Sequence, residues 1–156
     1  MILNGHTDDV FIDTEIHEYT FVLSENKEVC EIGYQSQPAI STALYLIEII
    51  DNTNNLAVYS GNHIFSASET SYVTPGSTTN LQLETSYTLR RTILLSDANG
   101  QFGSIIGRIA RKSEMNFPYT DGIMSITSAN FYQASNPGGV SLLDDAVPYI
   151  DLIFTD

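Results

Sequence analysis

The chain has no tryptophan, one cysteine, three histidines, and only six basic residues against nineteen acidic ones in 156 positions. Each shortage removes a class of function. A formal net charge of −13 opposes nucleic-acid binding, because every phosphate contact calls for a cation and an acidic surface repels the backbone. A lone cysteine, Cys30, leaves no internal disulfide, and in "EVCEIGY" it has the spacing of a small core residue. His6, His17 and His63 lack any metal-ligand spacing, so no metal centre is expected from them. No apolar run approaches the roughly 20 residues of a membrane helix. The opening "MILNGHTDDVFIDTE" has no early Lys or Arg and turns acidic by Asp8, which does not announce an export signal.

Patterns for catalysis are equally sparse. G-x-S-x-G is absent, and the paired carboxylates of "TDD", "IDTE" and "LDDA" read as solvated surface in so acidic a chain. Glycosidase chemistry needs two such groups held about 5 to 9 Å apart across a cleft. "DNTNN" and "DANGQ" gather oxygen side chains around tight turns as calcium loops do, but they lack the remaining acidic ligands. They read as turns, with a weak calcium site at Asp97 and Asn99 as the alternative. The expectation is a non-enzyme without a cofactor.

What the sequence does carry is strand signal. "IHEYTFVL" places His17, Tyr19, Phe21 and Leu23 on one face, and "EVCEIGYQ" places Cys30, Ile32 and Tyr34 together. "ISTALYLIEII" is apolar on both faces; its β-branched residues favour a central strand over a buried helix. "DNTNN" joins it to "LAVYS" as a hairpin. Further strands follow in "IFSAS", "SYVT", "NLQL", "SYTLRRTILL", "SIIGRIA", "IMSITSANFYQ" and "PYIDLIF". A loop of about a dozen residues, "RKSEMNFPYTDG", is long enough to suspect a contact role. The pattern predicts one all-β domain over residues 1–156, with 1–15 as an N-terminal arm. Its architecture is an antiparallel β-sandwich of jelly-roll or immunoglobulin-like type with about nine or ten strands.

Two adjacent arginines interrupt "SYTLRRTILL". Neighbouring strand residues point to opposite faces, so Arg90 and Arg91 have separate roles. Arg90 shares its side with Thr88 and Thr92, the solvent side. Arg91 lies among Tyr87, Leu89, Ile93 and Leu95, the core side, where a guanidinium needs partners to offset its desolvation. Glu48, which interrupts an apolar face, and Asp151 in "YIDLIF" are the expected carboxylates of a structural ion pair. An interface with another chain is the alternative setting for this face.

Five of the six basic residues are Arg90, Arg91, Arg108, Arg111 and Lys112, while acids dominate both ends of the chain. Segregated charge suits packing between subunits, so Arg90, Arg108, Arg111 and Lys112, with Phe117 and Tyr119 from the long loop, are the candidate interface. Tyr119, Phe131 and Tyr132 are the candidate sugar-stacking aromatics.

The runs "ALYLIEIIDNTNNLAVYSG", "LQLETSYTLRR", "ANFYQASNPGG" and "VPYIDLIF" together resemble a family of bacterial and archaeal β-sandwich modules of secreted and surface proteins. Leu81 or Leu83 with Tyr87 is matched to the family's L-x-x-x-x-Y element, although they stand six and four residues before the tyrosine and Gln82 holds the fifth position; the tryptophan common after the hairpin is missing. The resemblance implies a non-enzymatic, carbohydrate-binding-like jelly roll. By analogy, a short acidic sandwich of this kind is expected to be a bacteriophage structural protein, a capsid decoration or tail accessory assembled in the host cytoplasm as a homo-oligomer on other protein subunits. The alternative is an extracellular carbohydrate-binding module.

Overall fold

The computed structural model describes residues 6–12, 14–36, 42–93, 106–111, 116–134 and 141–155, and every regular element within them is a strand. In chain order these are β1 (Thr7–Ile12), β2 (Ile16–Leu23), β3 (Lys27–Tyr34), β4 (Tyr45–Asp51), β5 (Leu56–His63), β6 (Ser71–Val73) and β7 (Thr79–Leu81). They are followed by β8 (Tyr87–Ile93), β9 (Ile106–Arg111), β10 (Tyr119–Asp121), β11 (Met124–Tyr132), β12 (Ser141–Leu143), β13 (Val147–Pro148) and β14 (Asp151–Phe154). Of the strands not expected, β10 and β12 have three residues each and β13 two, too few to display alternation, while the strand expected in "IFSAS" does not form.

All pairings are antiparallel, in three sheets. The largest has the order β10-β11-β2-β8-β4-β5, with β12 also on β11; the second has the order β14-β3-β6, with β7 also on β3. The third, β1-β9-β13, draws the expected N-terminal arm into a sheet through Thr7–Ile12. The first two share one core. Tyr19, Phe21 and Leu23 of β2, Tyr45, Ile47 and Ile49 of β4, and Tyr87, Leu89 and Ile93 of β8 meet Val29, Ile32 and Tyr34 of β3. The period-two burial of β2 and β8 follows directly from their alternating sequences. Ile109 of β9 joins Phe131 and Ala146 in a smaller apolar cluster.

Local chemistry fixes the hairpin between β4 and β5. The Asp51 carboxylate accepts the Thr53 amide (2.8 Å), the Thr53 hydroxyl (2.6 Å) and the Asn54 side-chain amide (3.2 Å). Asn54 Oδ1 accepts the Leu56 amide at 2.8 Å, and Asn55 takes a left-handed φ of 59°, which asparagine tolerates well.

One local expectation is overturned. Cys30 is half-buried and outside the core cluster, because β3 bulges there: Glu31 pairs with Ile153 and Val29 with Phe154, leaving Cys30 as the extra residue. The bulge inverts the alternation, so Val29 takes the inward position.

Candidate functional site

Arg91 is the largest fully buried side chain described. Its register neighbours are His17 on β2 and Ile47 on β4. The guanidinium carbon lies 5.4 Å and 5.6 Å from the ring centroids of Tyr34 and Tyr45, and Nη1 donates to the Thr14 carbonyl at 3.2 Å. The surrounding polar groups interlock: the Thr14 amide donates to His17 Nε2 at 3.3 Å, and the Ser36 and Tyr45 hydroxyls bond at 2.8 Å. Ring quadrupoles and a backbone carbonyl are thus among the groups that compensate this buried cation.

The expected carboxylate pairing needs correction. Glu48 stands opposite Arg90, not Arg91, because the period of two turns it to the outer face and presents Ile47 inward. Asp151 belongs to the other sheet, where it accepts the Tyr72 hydroxyl at 3.1 Å. Among the described residues neither carboxylate pairs with Arg91.

The expected interface cations are dispersed. Arg90 is bound by Glu18 at 2.7 Å on the outer face of the large sheet. Arg111, on β9, contacts Asp145 at 2.5 Å and Asp9 at 3.7 Å. Arg108, also on β9, stacks on Tyr149 with 4.2 Å between guanidinium carbon and ring centroid, and donates to Gln35 and to Thr70 (3.3 Å). Phe117 and Tyr119 pack against the core, with Tyr119 edge-on to His6 at 4.4 Å. Lys112 lies outside the described residues, as do Asp97 and Asn99.

The three candidate stacking aromatics do not meet. Phe131 is buried against His17, since it pairs with His17 on the inner face. Tyr132 is turned to Glu18, to which its hydroxyl donates at 3.4 Å. Tyr119 pairs with Ile126, six residues up β11 from Tyr132, which is about 20 Å along a strand. Among the described residues no group of three or more His, Cys, Asp or Glu is placed to hold a metal ion.

Two features that the sequence reading passed over stand out instead. On the outer face of the smaller sheet, Asp151, Gly33 and Tyr72 form one cross-strand row. The Tyr72 ring lies over Gly33 so closely that a Cβ there would come within 2.5 Å of it. Beside this row sits the cluster of Arg108, Tyr149, Gln35 and Thr70. A glycine inside the strand "CEIGY" was the available signal, since glycine in a strand marks a close approach.

The second feature is β5, which among the described residues is the terminal strand of the large sheet and pairs only with β4. It carries no Asp, Glu, Lys or Arg, and along it and just beyond are Leu56 (65% exposed), Val58 (38%) and Ile64 (57%). Val58 is a bulge residue, skipped between the Ile49–Tyr59 and Ile50–Ala57 pairs. Farther along, Tyr59 OH and His63 Nε2 bond at 2.5 Å across Gly61, where a Cβ would lie 2.7 Å from the phenol oxygen. Partial burial holds the His63 imidazole below its ordinary pKa and the Tyr59 phenol above its own.

The sequence matches no protein-family model and no curated protein.

Proposed function

We propose that the protein is a non-enzymatic structural β-sandwich acting through contacts with other protein subunits, copies of itself included, as an accessory protein of a bacteriophage virion of the capsid-decoration or tail type. The observation that carries the assembly part is the open edge of β5. Sheet edges expose unpaired backbone donors and acceptors, and proteins that stay monomeric blunt them with lysine, proline, inward charge, bulges, a covering segment or very short strands. β5 has eight residues and none of these side chains; the bulge at Val58 leaves Tyr59–His63 as a regular run. Three of the seven exposed large apolar side chains described lie on or next to it. In a chain of net charge −13, an uncharged edge is also where two copies meet with least repulsion. Arg90 and Arg111, two of the cations first expected at the interface, are paired with carboxylates of their own chain, which moves the expected contact from the basic loop to this edge.

Solution mass from size-exclusion chromatography with light scattering, over a range of concentrations, tests the reading. The expected result is a closed oligomer that a Leu56→Lys/Val58→Lys double variant converts to monomer without loss of folding. A monomer at every concentration, or an oligomer indifferent to the two lysines, would overturn it.

A further inference from the structure

The outer face of the β14-β3-β6 sheet has the make-up of a ligand platform, and it lies in a different sheet from the β5 edge. Exposed aromatics normally project from a strand and wave in solvent. Tyr72 is constrained at both ends: its ring lies over Gly33, and its hydroxyl is held by Asp151 at 3.1 Å. One ring face rests on the sheet while the side chain remains 46% exposed. Its outward face is a fixed, flat, apolar surface ordered before any ligand arrives, which cuts the entropy cost of stacking.

Around this platform stand groups that hydrogen-bond in fixed directions. Arg108 is immobilised on Tyr149 and reaches Gln35 and Thr70, and Gln35 is itself tied to the Ala67 carbonyl at 3.2 Å. Asp151 offers its carboxylate beside the ring. Asp151 and Ile153 also border a cleft of about 410 Å³ against the turn Asp121–Met124, within the range of small-ligand sites.

We propose that this face binds a neutral carbohydrate, with Tyr72 stacking on the C–H face of a pyranose ring and Arg108, Gln35 and Asp151 taking its hydroxyls. A sugar ring presents an apolar face to an aromatic and a rim of hydroxyls to planar polar groups, the two surfaces supplied here side by side. Neutrality follows from charge: Asp151 and Glu31 share this part of the sheet, and a chain of net charge −13 repels uronic or sialic acids. The inference does not rest on the assembly reading, since β5 takes no part in it.

The test is an NMR titration of the full chain with soluble oligomers of β-1,4-glucose, α-1,4-glucose, β-1,4-mannose and β-1,4-N-acetylglucosamine, with an oligogalacturonate as charged comparator. At least one neutral oligomer is expected to shift the amides of Gly33, Tyr72 and Asp151, and Tyr72→Ala should weaken it about tenfold or more. Tyr72→Phe keeps the ring and loses only the phenol contact, so it should bind within a few-fold of wild type; this holds the test open if the alanine variant fails to fold. Arg108→Gln should weaken binding while leaving Tyr72 in place. The proposal falls if no neutral oligomer at about 10 mM perturbs these amides, if the oligogalacturonate binds as well, or if binding survives Tyr72→Ala. In the first and last of these cases the ring serves only to cover a glycine in the strand, and in the second the face does not select for neutral sugars.

Discussion

Arg90 and Arg91 share a strand, a chemistry and nearly a position, yet the sheet gives them opposite conditions. Arg90 lies on the outer face between Glu18 and Glu48, in register with both, and its ion pair with Glu18 stays in contact with water. Arg91 lies on the inner face between His17 and Ile47, fully buried, with two tyrosine rings and a carbonyl about it. The comparison teaches that the value of a charge here is set by its face, not by its neighbours in sequence. A surface pair gains little because water already solvates both ions. A buried cation forfeits that solvation, and its compensation must come from groups built into the fold.

Replacing each arginine breaks the comparison most directly. Arg91→Met removes the cation and leaves the Thr14 carbonyl without its charged donor, at an expected loss of about 2 to 4 kcal/mol in urea unfolding. Lysine should not rescue it, since a compact ammonium cannot lie flat against two rings and reach Thr14 together. An Arg91→Met variant as stable as wild type would mean that the inner-face cation contributes nothing to stability.

The outer face of the smaller sheet permits a sharper version, because there the same residue is both ligand candidate and cover. Gly33→Ala forces the Tyr72 ring off its seat, since the added carbon would lie 2.5 Å from it. Destabilisation of about 1 to 2 kcal/mol is expected, as for other overpacked sites. In a Tyr72→Ala background the same change should cost far less, because the obstruction is gone. Equal costs in both backgrounds would show that the glycine answers to something other than the ring.

How much of this could be read from the sequence divides along the same line. Regular alternation was legible: the inward sets of β2 and β8, the Asp51–Asn55 turn, and the position of Arg91 on the apolar side all follow from a period of two and from turn chemistry. The partners of Arg91 were not legible, because they depend on register. Glu48 interrupts an apolar stretch and so invites pairing, but pairing β4 with β8 sets it against Arg90. Phe131 was misread as a surface platform for a similar reason: its neighbourhood is polar in sequence, while the Ile126/Ser128 bulge and pairing with His17 turn it inward. Bulges at Cys30 and Val58 likewise shift the alternation by one residue, with no compositional mark. The Tyr72 row joins residues from three separated strands, and only the Gly33 position hinted at it.

Titration offers a subtler contrast between faces. Burial lowers the His63 pKa, so the folded state favours the neutral ring that accepts or donates to Tyr59, while the unfolded chain titrates near about 6.5. A depressed histidine pKa means that the unfolded state takes up the proton first. The His63 contribution is therefore intact above about pH 6.5 and is lost progressively as pH falls below it. The melting temperature should decline more between pH 7.5 and 5.5 in wild type than in His63→Gln, and parallel declines would remove His63 from the account. If β5 is the assembly edge, the oligomer should loosen over the same interval.

The smallest expected effect lies at Arg90. Glu18→Gln keeps the size and one acceptor while removing the charge opposite a guanidinium that remains partly wetted. A loss of about 0.5 to 1 kcal/mol is expected, shrinking as salt is raised through the Debye screening range. Glu48, which also stands opposite Arg90, can take over part of the attraction, so Glu48→Gln in the Glu18→Gln background should cost more than it does alone. If instead the single change at Glu18 destabilises as much as Arg91→Met, the outer face of the large sheet is not behaving as a surface. The simplest physical reason would then be that another subunit covers it.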